Sequence, residues 1–234
     1  MTAELDGRRI EGELPGRQGR LLFVYLVVNR VRPATRDELA AAVWPEQVPS
    51  AAAAGLSALL SKLRRLVPVE GRSELQLRLP AGAWIDLEAA AKGLHRSEAA
   101  VARRDWTAAW GPGRVAQHVA ARGFLPGEEA PWIEEQRRRL EEIHARALEL
   151  VGRACLEIGG SELDTAERSA RTLITKAPYR ESGHRLLMEA LAARGNPAEA
   201  LLVYEELRRR LRDELGATPG PETQALHRSL LGSA

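Results

Sequence analysis

The C-terminal two thirds of the sequence repeat a helical pattern, and this repeat constrains the fold more than any other feature. From residue 86 onward, amphipathic helical patterns alternate with short turns. The positions Ala166, Ala170 and Leu173 recur 34 residues later as Ala200, Tyr204 and Leu207. This period is typical of stacked helix pairs, in which small residues let neighbouring helices approach closely. The sequence therefore predicts helical hairpins here.

The pattern predicts an all-α, tetratricopeptide-like domain over residues 86–234. We expect helices over residues 86–103, 105–121, 131–159, 162–176, 181–194, 197–215 and 221–231. The composition agrees, because only 4% of the residues are aromatic while 44% are hydrophobic, which favours packed helices over a sandwich or barrel. Strand signals stop before Asp86, so the segment PAGAWID at residues 80–86 is the predicted boundary with a domain at 1–85.

The first domain begins with a short hairpin signal and a strongly apolar segment. An Asp6-Gly7 turn separates two short segments between residues 3 and 14, and it predicts a small β-hairpin. The following run GRQGRLLFVYLVVNR spaces Leu21, Leu22, Tyr25 and Leu26 as in a buried helix, although its valine and aromatic content also permits a strand. Its position just before a second helix favours the helix.

The second helix has clear start and stop signals. Thr35-Arg36-Asp37-Glu38 forms a capping box, in which the Thr35 hydroxyl accepts from the Glu38 backbone N–H while the carboxylate reaches back. Pro45 ends the pattern. A short helix after a polar turn is typical of the first half of a helix-turn-helix.

The third helix, predicted over Ser50–Val67, has one apolar face and one small, basic face. The exposed face is formed by Ser50, Ala54, Ser57, Ser61, Arg64 and Arg65, with Lys62 at its side. No acidic residue occurs between Ser50 and Val67. A helix of this kind can enter a DNA major groove about 12 Å wide and reach base edges and phosphates. A solvated surface helix is the alternative, since basic residues near a helix C-terminus are favoured by the helix dipole.

A β-hairpin is predicted after Pro68. The residues Gly71-Arg72-Ser73 form a turn, and the leucines at positions 75, 77 and 79 then alternate with polar residues. Three helices followed by a hairpin predict an N-terminal winged helix-turn-helix, so the whole chain is expected to be mainly α with a small β-hairpin wing. The charge distribution agrees weakly with a polyanion partner, because residues 1–85 hold 12 basic and 9 acidic residues while residues 86–234 hold 22 and 23.

These segments resemble the SARP/AfsR-type bacterial transcriptional activators, which combine an OmpR-like winged helix with a bacterial transcriptional activation domain. The resemblance is carried by PGRQGRLLFVYLVVNR, TRDELAAAVWPEQVPSAAAAGLSALLSKLRRLV, FLPGEEAPWIEEQRRRLEEIHARALE and the C-terminal ESGHRLLMEALAARGNPAEALLVYEELRRRLRDELGATPGPETQALH. Two segments depart from the family pattern: the family has a further strand upstream of DGRRI, and its wing has a Gly-Gly-Tyr-Arg-type turn where this chain has SELQLRL.

The resemblance implies a cytoplasmic, nucleoid-associated protein that binds double-stranded promoter DNA. In the family, protomers bind side by side at direct repeats, as a homodimer on DNA, and recruit RNA polymerase. By position, the recognition helix corresponds to Ser50–Val67 and the wing tip to Gly71–Glu74. The predicted DNA-binding residues are Ser50, Ser57, Ser61, Lys62, Arg64, Arg65 and Arg72. The alternative is an interaction or effector-sensing module that works through the helical repeats and has lost DNA binding.

Other site chemistries find no support in the sequence. The five histidines are scattered without metal-ligand spacing, and there is no Gly-rich phosphate loop or nucleophile elbow, so we expect no metal, no cofactor and no enzymatic activity. The single cysteine, Cys155, lies in an apolar helical run and is expected to be buried. The charged N-terminus and the lack of a segment of about 20 apolar residues predict a cytoplasmic protein rather than a membrane protein.

Two further patterns have a structural interpretation. The five tryptophans (Trp44, Trp84, Trp106, Trp110 and Trp132) are expected to be packing anchors rather than a ligand cage, although a groove in the repeats can bind a peptide or small effector. The arginine runs at residues 137–139 and 208–210 are flanked by glutamates at helical spacing, which predicts salt-bridged helices rather than nucleic-acid patches.

Overall fold

The computed structural model is mainly helical with small antiparallel sheets, and it describes residues 2–5, 7–80 and 82–232. The chain divides into two compact units. Residues 1–83 and 124–137 form the first unit, whereas residues 84–123 and 138–234 form the second. The division predicted at residues 85 and 86 assigned residues 124–137 to the second domain, but the structure groups this segment with the first unit.

The first unit contains three helices and five short strands in its N-terminal part. The helices are α1 (Gly16–Val28), α2 (Arg36–Val43) and α3 (Ala52–Leu63). The strands are β1 (Glu4–Leu5), β2 (Arg8–Arg9), β3 (Ala34–Thr35), β4 (Val69–Glu70) and β5 (Glu74–Leu77). The hairpin β1–β2 is confirmed by the antiparallel pairing of Glu4 with Arg9, although Asp6 of its predicted turn lies outside the described residues.

The sheet beside α3 has the order β3–β5–β4 and contains one strand that was not predicted. The β4–β5 hairpin is confirmed, with Val69 opposite Leu77. Strand β3 pairs with β5 through Ala34 opposite Leu75, so β5 is the central strand. Two residues are too few to show an alternating pattern, and this explains why the sequence did not reveal β3.

Helix α1 is confirmed as a helix and is buried on most of its surface. Leu22 is fully buried, and Phe23, Val24 and Leu26 also belong to the core of the first unit. Its valines favour strands locally, but burial on most of its surface stabilises the segment as a central core helix.

The first turn of α2 is tied to α1 through Glu38. As predicted, the Thr35 hydroxyl accepts from the Glu38 backbone N–H, at 3.2 Å. The Glu38 carboxylate accepts from the Tyr25 hydroxyl at 2.5 Å and from two guanidinium nitrogens of Arg32, at 2.5 and 3.0 Å. The bidentate Arg32 pair lowers the pKa of Glu38 to about 2, while burial and the Glu38 contact raise the pKa of Tyr25 to about 12.

The segment at residues 124–137 packs onto α1 and α2 through Trp132. The indole N–H donates to the Ala42 carbonyl at 3.2 Å, and the ring meets Tyr25 edge to face at a centroid distance of 5.2 Å. Arg137 holds the preceding loop, because its guanidinium donates to the carbonyls of Phe124, Leu125 and Glu128 at 2.6 to 3.0 Å. This packing explains why the segment belongs to the first unit.

The helices predicted for the repeat region are confirmed, each end agreeing within one residue. They are α4 (Asp86–Ala102), α5 (Trp106–Ala121), α6 (Pro131–Ile158), α7 (Leu163–Lys176), α8 (Glu181–Ala193), α9 (Pro197–Leu215) and α10 (Pro221–Leu231), with a 3-10 turn at Gly160–Glu162. Helix α9 ends at Gly216 with a φ of 64°, the left-handed C-terminal conformation that glycine adopts without strain.

The repeat positions are buried in the second unit, as the 34-residue period predicts. Ala166, Ala170, Leu173, Ala200 and Leu207 are fully buried, and α7, α8 and α9 pack consecutively. Cys155 is also fully buried, which confirms its predicted role as a small hydrophobic residue. The fold of the second unit is therefore tetratricopeptide-like. No helix in the described part of the chain is long and apolar enough to span a membrane.

Helices α4 and α5 approach each other through a glycine. A Cβ atom at Gly93 would lie 2.7 Å from the Pro112 carbonyl oxygen, which belongs to the backbone and cannot move aside. Ser97, one turn further along α4, is fully buried and donates to the Ala109 carbonyl at 2.9 Å. The contact between these helices therefore depends on small side chains.

We expect Gly93→Ala to lower the free energy of unfolding by about 1–3 kcal/mol, because the overpacking exceeds the gain in helix propensity. Urea unfolding followed by circular dichroism measures the change. Lys92→Ala is the matched control at an exposed neighbouring position and should change stability by less than about 0.5 kcal/mol. If Gly93→Ala leaves the free energy of unfolding unchanged or raises it, the close contact between Gly93 and the Pro112 carbonyl is contradicted.

The Glu38 pair predicts an acid-sensitive first unit. Because the folded pKa lies below the ordinary value of about 4.3, its stabilisation is present above that pH and is lost as the pH falls toward 2. We expect Glu38→Gln to remove about 1–2 kcal/mol at pH 7, since Arg32 is half exposed, and to flatten the loss between pH 5 and pH 3. Urea titrations measure the free energy of unfolding of both proteins at each pH. If this free energy changes with pH in the same way in the wild type and in Glu38→Gln, the pair contributes nothing to stability.

Candidate nucleic-acid interface

Helix α3 is shorter at both ends than the sequence predicted. It begins at Ala52, so Ser50 lies in the preceding turn, and it ends at Leu63, so Arg64 and Arg65 lie in the following turn. The backbone N–H of Arg65 bonds the Lys62 carbonyl, which is the tighter pattern of a helix end. Pro68 disfavours a helical conformation at Val67, and this explains why the helix does not continue.

The two faces of α3 are those that the pattern predicted. Leu56, Leu60 and Leu63 are buried in the core of the first unit. The exposed face within the helix consists of Ala53, Ala54, Ser57, Ala58, Ser61 and Lys62. Since these side chains are small apart from Lys62, a flat partner can approach the helix backbone closely.

Arg64 has a structural partner that the sequence did not reveal. Its Nε donates to the Val69 carbonyl at 3.1 Å and its Nη2 donates to the Gly71 carbonyl at 2.5 Å. The guanidinium therefore holds β4 and the start of the hairpin turn against the end of α3. Arg64 was predicted as a DNA contact, and the structure assigns it this positioning contact.

Arg36, the first residue of α2, connects three parts of this surface, and no pattern in the sequence indicates this role. Its Nη2 donates to the Ser57 hydroxyl at 2.5 Å, and its Nη1 donates to the Arg72 carbonyl at 3.1 Å. Ser57 also donates to the Ala53 carbonyl at 2.8 Å. The pairing of β3 with β5 brings these residues together, and no sequence signal predicted that pairing.

The hairpin turn requires glycine at its first position. Gly71 has a φ of 92°, and a Cβ there would lie 1.8 Å from the Glu74 carbonyl oxygen. The turn presents Arg72 to solvent. The predicted wing tip is thus a tight turn with an exposed arginine, close to the end of α3 through the Arg64 contacts.

Three exposed cations lie at the end of α3 and on the hairpin turn. Within the described residues, Lys62, Arg65 and Arg72 have no carboxylate partner, and all three are exposed. By contrast, Arg78 pairs with Glu70 at 3.0 Å, and Arg32 pairs with Glu38. The end of α3 and the hairpin turn therefore carry uncompensated positive charge.

This surface can bind a polyanion but shows no metal chemistry. Three uncompensated cations and exposed hydroxyls are groups that bind phosphates, whereas the small face of α3 allows contact over a broad area. Across residues 2–5, 7–80 and 82–232, no group of three or more His, Cys, Asp or Glu side chains is arranged to hold a metal ion. Of the predicted residues, the structure leaves Ser50, Ser61, Lys62, Arg65 and Arg72 exposed, with Ser57 also exposed but bonded to Arg36.

Comparison with known proteins assigns the second part of the chain to a family. Residues 85–231 match the bacterial transcriptional activator domain. Among curated proteins, the regulatory protein AfsR of Streptomyces griseus is 33% identical over 227 residues, which is 92% of this chain and 22% of AfsR. The transcriptional regulatory protein EmbR of Mycobacterium tuberculosis is 27% identical over 237 residues, which is 97% of this chain and 60% of EmbR.

A solved structure shows the same fold. The structure of Mycobacterium tuberculosis EmbR in complex with a low-affinity phosphopeptide superimposes with a TM-score of 0.81 at 23% identity, and covers 99% of this chain and 63% of that one. The chain thus spans about a fifth of AfsR and about three fifths of EmbR. The chain belongs to the family of the bacterial transcriptional activator domain, and it is of the SARP/AfsR type that its sequence resembles.

Proposed function

We propose that the first unit is a winged helix-turn-helix domain that binds promoter DNA sequence-specifically. The observation that carries the proposal is the uncompensated positive charge of Lys62, Arg65 and Arg72 around the small exposed face of α3. In this assignment α2 and α3 form the helix-turn-helix, and the β4–β5 hairpin is the wing. The shape supports it, since a helix with small side chains fits a major groove about 12 Å wide.

The predicted residues take different roles in this proposal. Lys62 and Arg65, at the C-terminal end of α3, contact phosphates, and Ser61 reaches base edges in the major groove. Arg72 approaches the adjacent minor groove from the wing. Ser50 contacts a phosphate before the helix begins. Arg64 acts as a positioning residue that fixes the wing relative to α3.

At the level of the whole protein, we expect an activator that acts in the cytoplasm, at the nucleoid. Protomers bind side by side at direct repeats, and the second unit recruits RNA polymerase. The support for this part is family membership and the regulatory names of AfsR and EmbR. The alternative is an interaction module without DNA binding, and the following experiment distinguishes the two.

We expect the double variant Lys62→Gln and Arg65→Gln to weaken binding to promoter fragments and to lower the salt dependence. Each lost phosphate contact reduces the slope of log affinity against log salt by about 0.9, so the double variant should lose about 1.8. Fluorescence anisotropy across a salt series, on fragments upstream of the neighbouring genes, measures both quantities. Arg209→Gln, an exposed arginine of the second unit, is the matched control and should leave the slope unchanged.

A second variant separates positioning from contact. Arg64→Ala should weaken binding with a smaller change in slope than Arg65→Ala, and it should speed hydrogen exchange in β4 and the turn. If the wild-type protein binds the fragments weakly and without selectivity, or if the Lys62/Arg65 variant keeps its slope, the assignment of the interface is wrong and the interaction-module alternative gains.

A further inference from the structure

The second unit contains a small polar cleft between α5 and α7. Its volume is about 220 Å³, and it is lined by Trp110, Arg114, Gln117, Thr165, Arg168, Ser169 and Thr172. The lining includes two arginines and three hydroxyl side chains but no carboxylate. A cleft that is rich in donors and lacks acidic groups favours an anion.

The two arginines are held in place by neutral side chains on their own helices. Arg114 donates to the Gln117 side-chain oxygen at 3.0 Å, and Arg168 donates to the Thr165 hydroxyl at 2.9 Å. In the part of the chain that the structure describes, neither guanidinium pairs with a carboxylate. Both therefore present full positive charges at the cleft in an ordered position.

The nearest acidic residues on α7 are already engaged elsewhere. Asp164 lies one turn before Arg168, but its carboxylate bonds Arg194 at 2.8 Å. Glu167 bonds Arg194 and Arg171. These pairs keep the carboxylates away from Arg168, and its charge stays available for a ligand.

A second cleft of similar size shows that arginines alone do not make such a site. This cleft of about 200 Å³ contains Arg146, Arg153 and Arg185. Each of the three pairs with a carboxylate: Arg146 with Glu98 and Glu149, Arg153 with Glu189, and Arg185 with Glu222. The charge there is neutralised within the protein, so of these two clefts in the described residues the one between α5 and α7 offers uncompensated cations.

Trp110 and Ser169 also line the cleft. Trp110 was expected to be a packing anchor, yet 40% of its surface is exposed beside Arg114. Ser169 is only 3% exposed, and it lines the cleft beside Arg168. A serine hydroxyl in the lining of a cleft can donate a hydrogen bond to an anionic ligand.

We infer that this cleft binds the phosphate group of a small phosphorylated molecule with a planar ring, of the nucleoside monophosphate class. A phosphate monoester carries close to two negative charges and three terminal oxygens, which match Arg114, Arg168 and the Ser169 hydroxyl. The cleft is smaller than the about 300–1,000 Å³ of sites that enclose a whole ligand, so it holds the charged group. The ring stacks on the exposed indole of Trp110. This site does not depend on DNA binding by the first unit.

The test compares adenosine monophosphate, adenosine and ribose 5-phosphate by isothermal titration calorimetry on the full chain without DNA. We expect adenosine monophosphate to bind at least about tenfold more tightly than adenosine or ribose 5-phosphate, because it alone has both the phosphate group and the planar ring. Arg114→Gln and Arg168→Gln should each weaken the binding of adenosine monophosphate about tenfold, as expected for the loss of one charged hydrogen bond. Arg209→Gln, an exposed arginine outside the cleft lining, is the matched control and should bind as the wild type does.

A spectroscopic readout locates the ring. Binding should change the tryptophan fluorescence of the wild-type protein, and Trp110→Phe should abolish the change while leaving helix content intact. The inference is overturned if none of the three compounds binds, if adenosine binds as tightly as the monophosphate, or if Arg114→Gln and Arg168→Gln leave binding unchanged. It is also overturned if these variants alter only the salt dependence of DNA binding, because the cleft would then contact the DNA backbone.

Discussion

The geometry of the surface that is proposed to bind DNA depends on hydrogen bonds made by the first turn of α2. Three consecutive contacts start there: Thr35 caps the helix, Arg36 holds Ser57 and the hairpin turn, and Glu38 binds Arg32 and Tyr25. The same turn therefore connects α1, α3 and the hairpin. The buried leucines of α3 pack in the same core as the hairpin, and Arg36 and Arg64 add hydrogen bonds between α3 and the hairpin turn.

The second unit depends on a different constraint, the close approach of helices through small residues. Fully buried alanines recur at the repeat positions, and Gly93 meets the Pro112 carbonyl where a side chain would not fit. The small buried residues determine the helix packing and do not determine the side chains at the surface. Two clefts of similar size on this unit therefore have different charges. In one cleft every arginine is paired with a carboxylate, whereas in the other none is.

The sequence predicted those features that depend on local patterns. The helices of the second unit agree within one residue at each end, because their apolar period and turn residues act locally. The hairpin after Pro68 and the capping of α2 by Thr35 were predicted for the same reason. The faces of α3 were also correct, although periodicity alone did not give its ends at Ala52 and Leu63.

Features that depend on contacts distant in sequence were missed. Arg36 acts through the pairing of β3 with β5, and β3 is too short to leave a pattern. The segment at residues 124–137 joins the first unit through Trp132, which bonds Ala42 90 residues away. The exposure of Trp110 likewise follows from packing and not from its helical spacing.

Site-directed DNA cleavage would show whether α3 contacts DNA. Because Cys155 is fully buried, Ser61→Cys provides an exposed thiol that carries an iron chelate, and Leu202→Cys places the same label on the second unit, where residue 202 is 70% exposed. We expect localised cleavage of a promoter fragment from the label at position 61 and none from position 202. Cleavage from position 202 alone, or from neither position while the protein is bound, would contradict it.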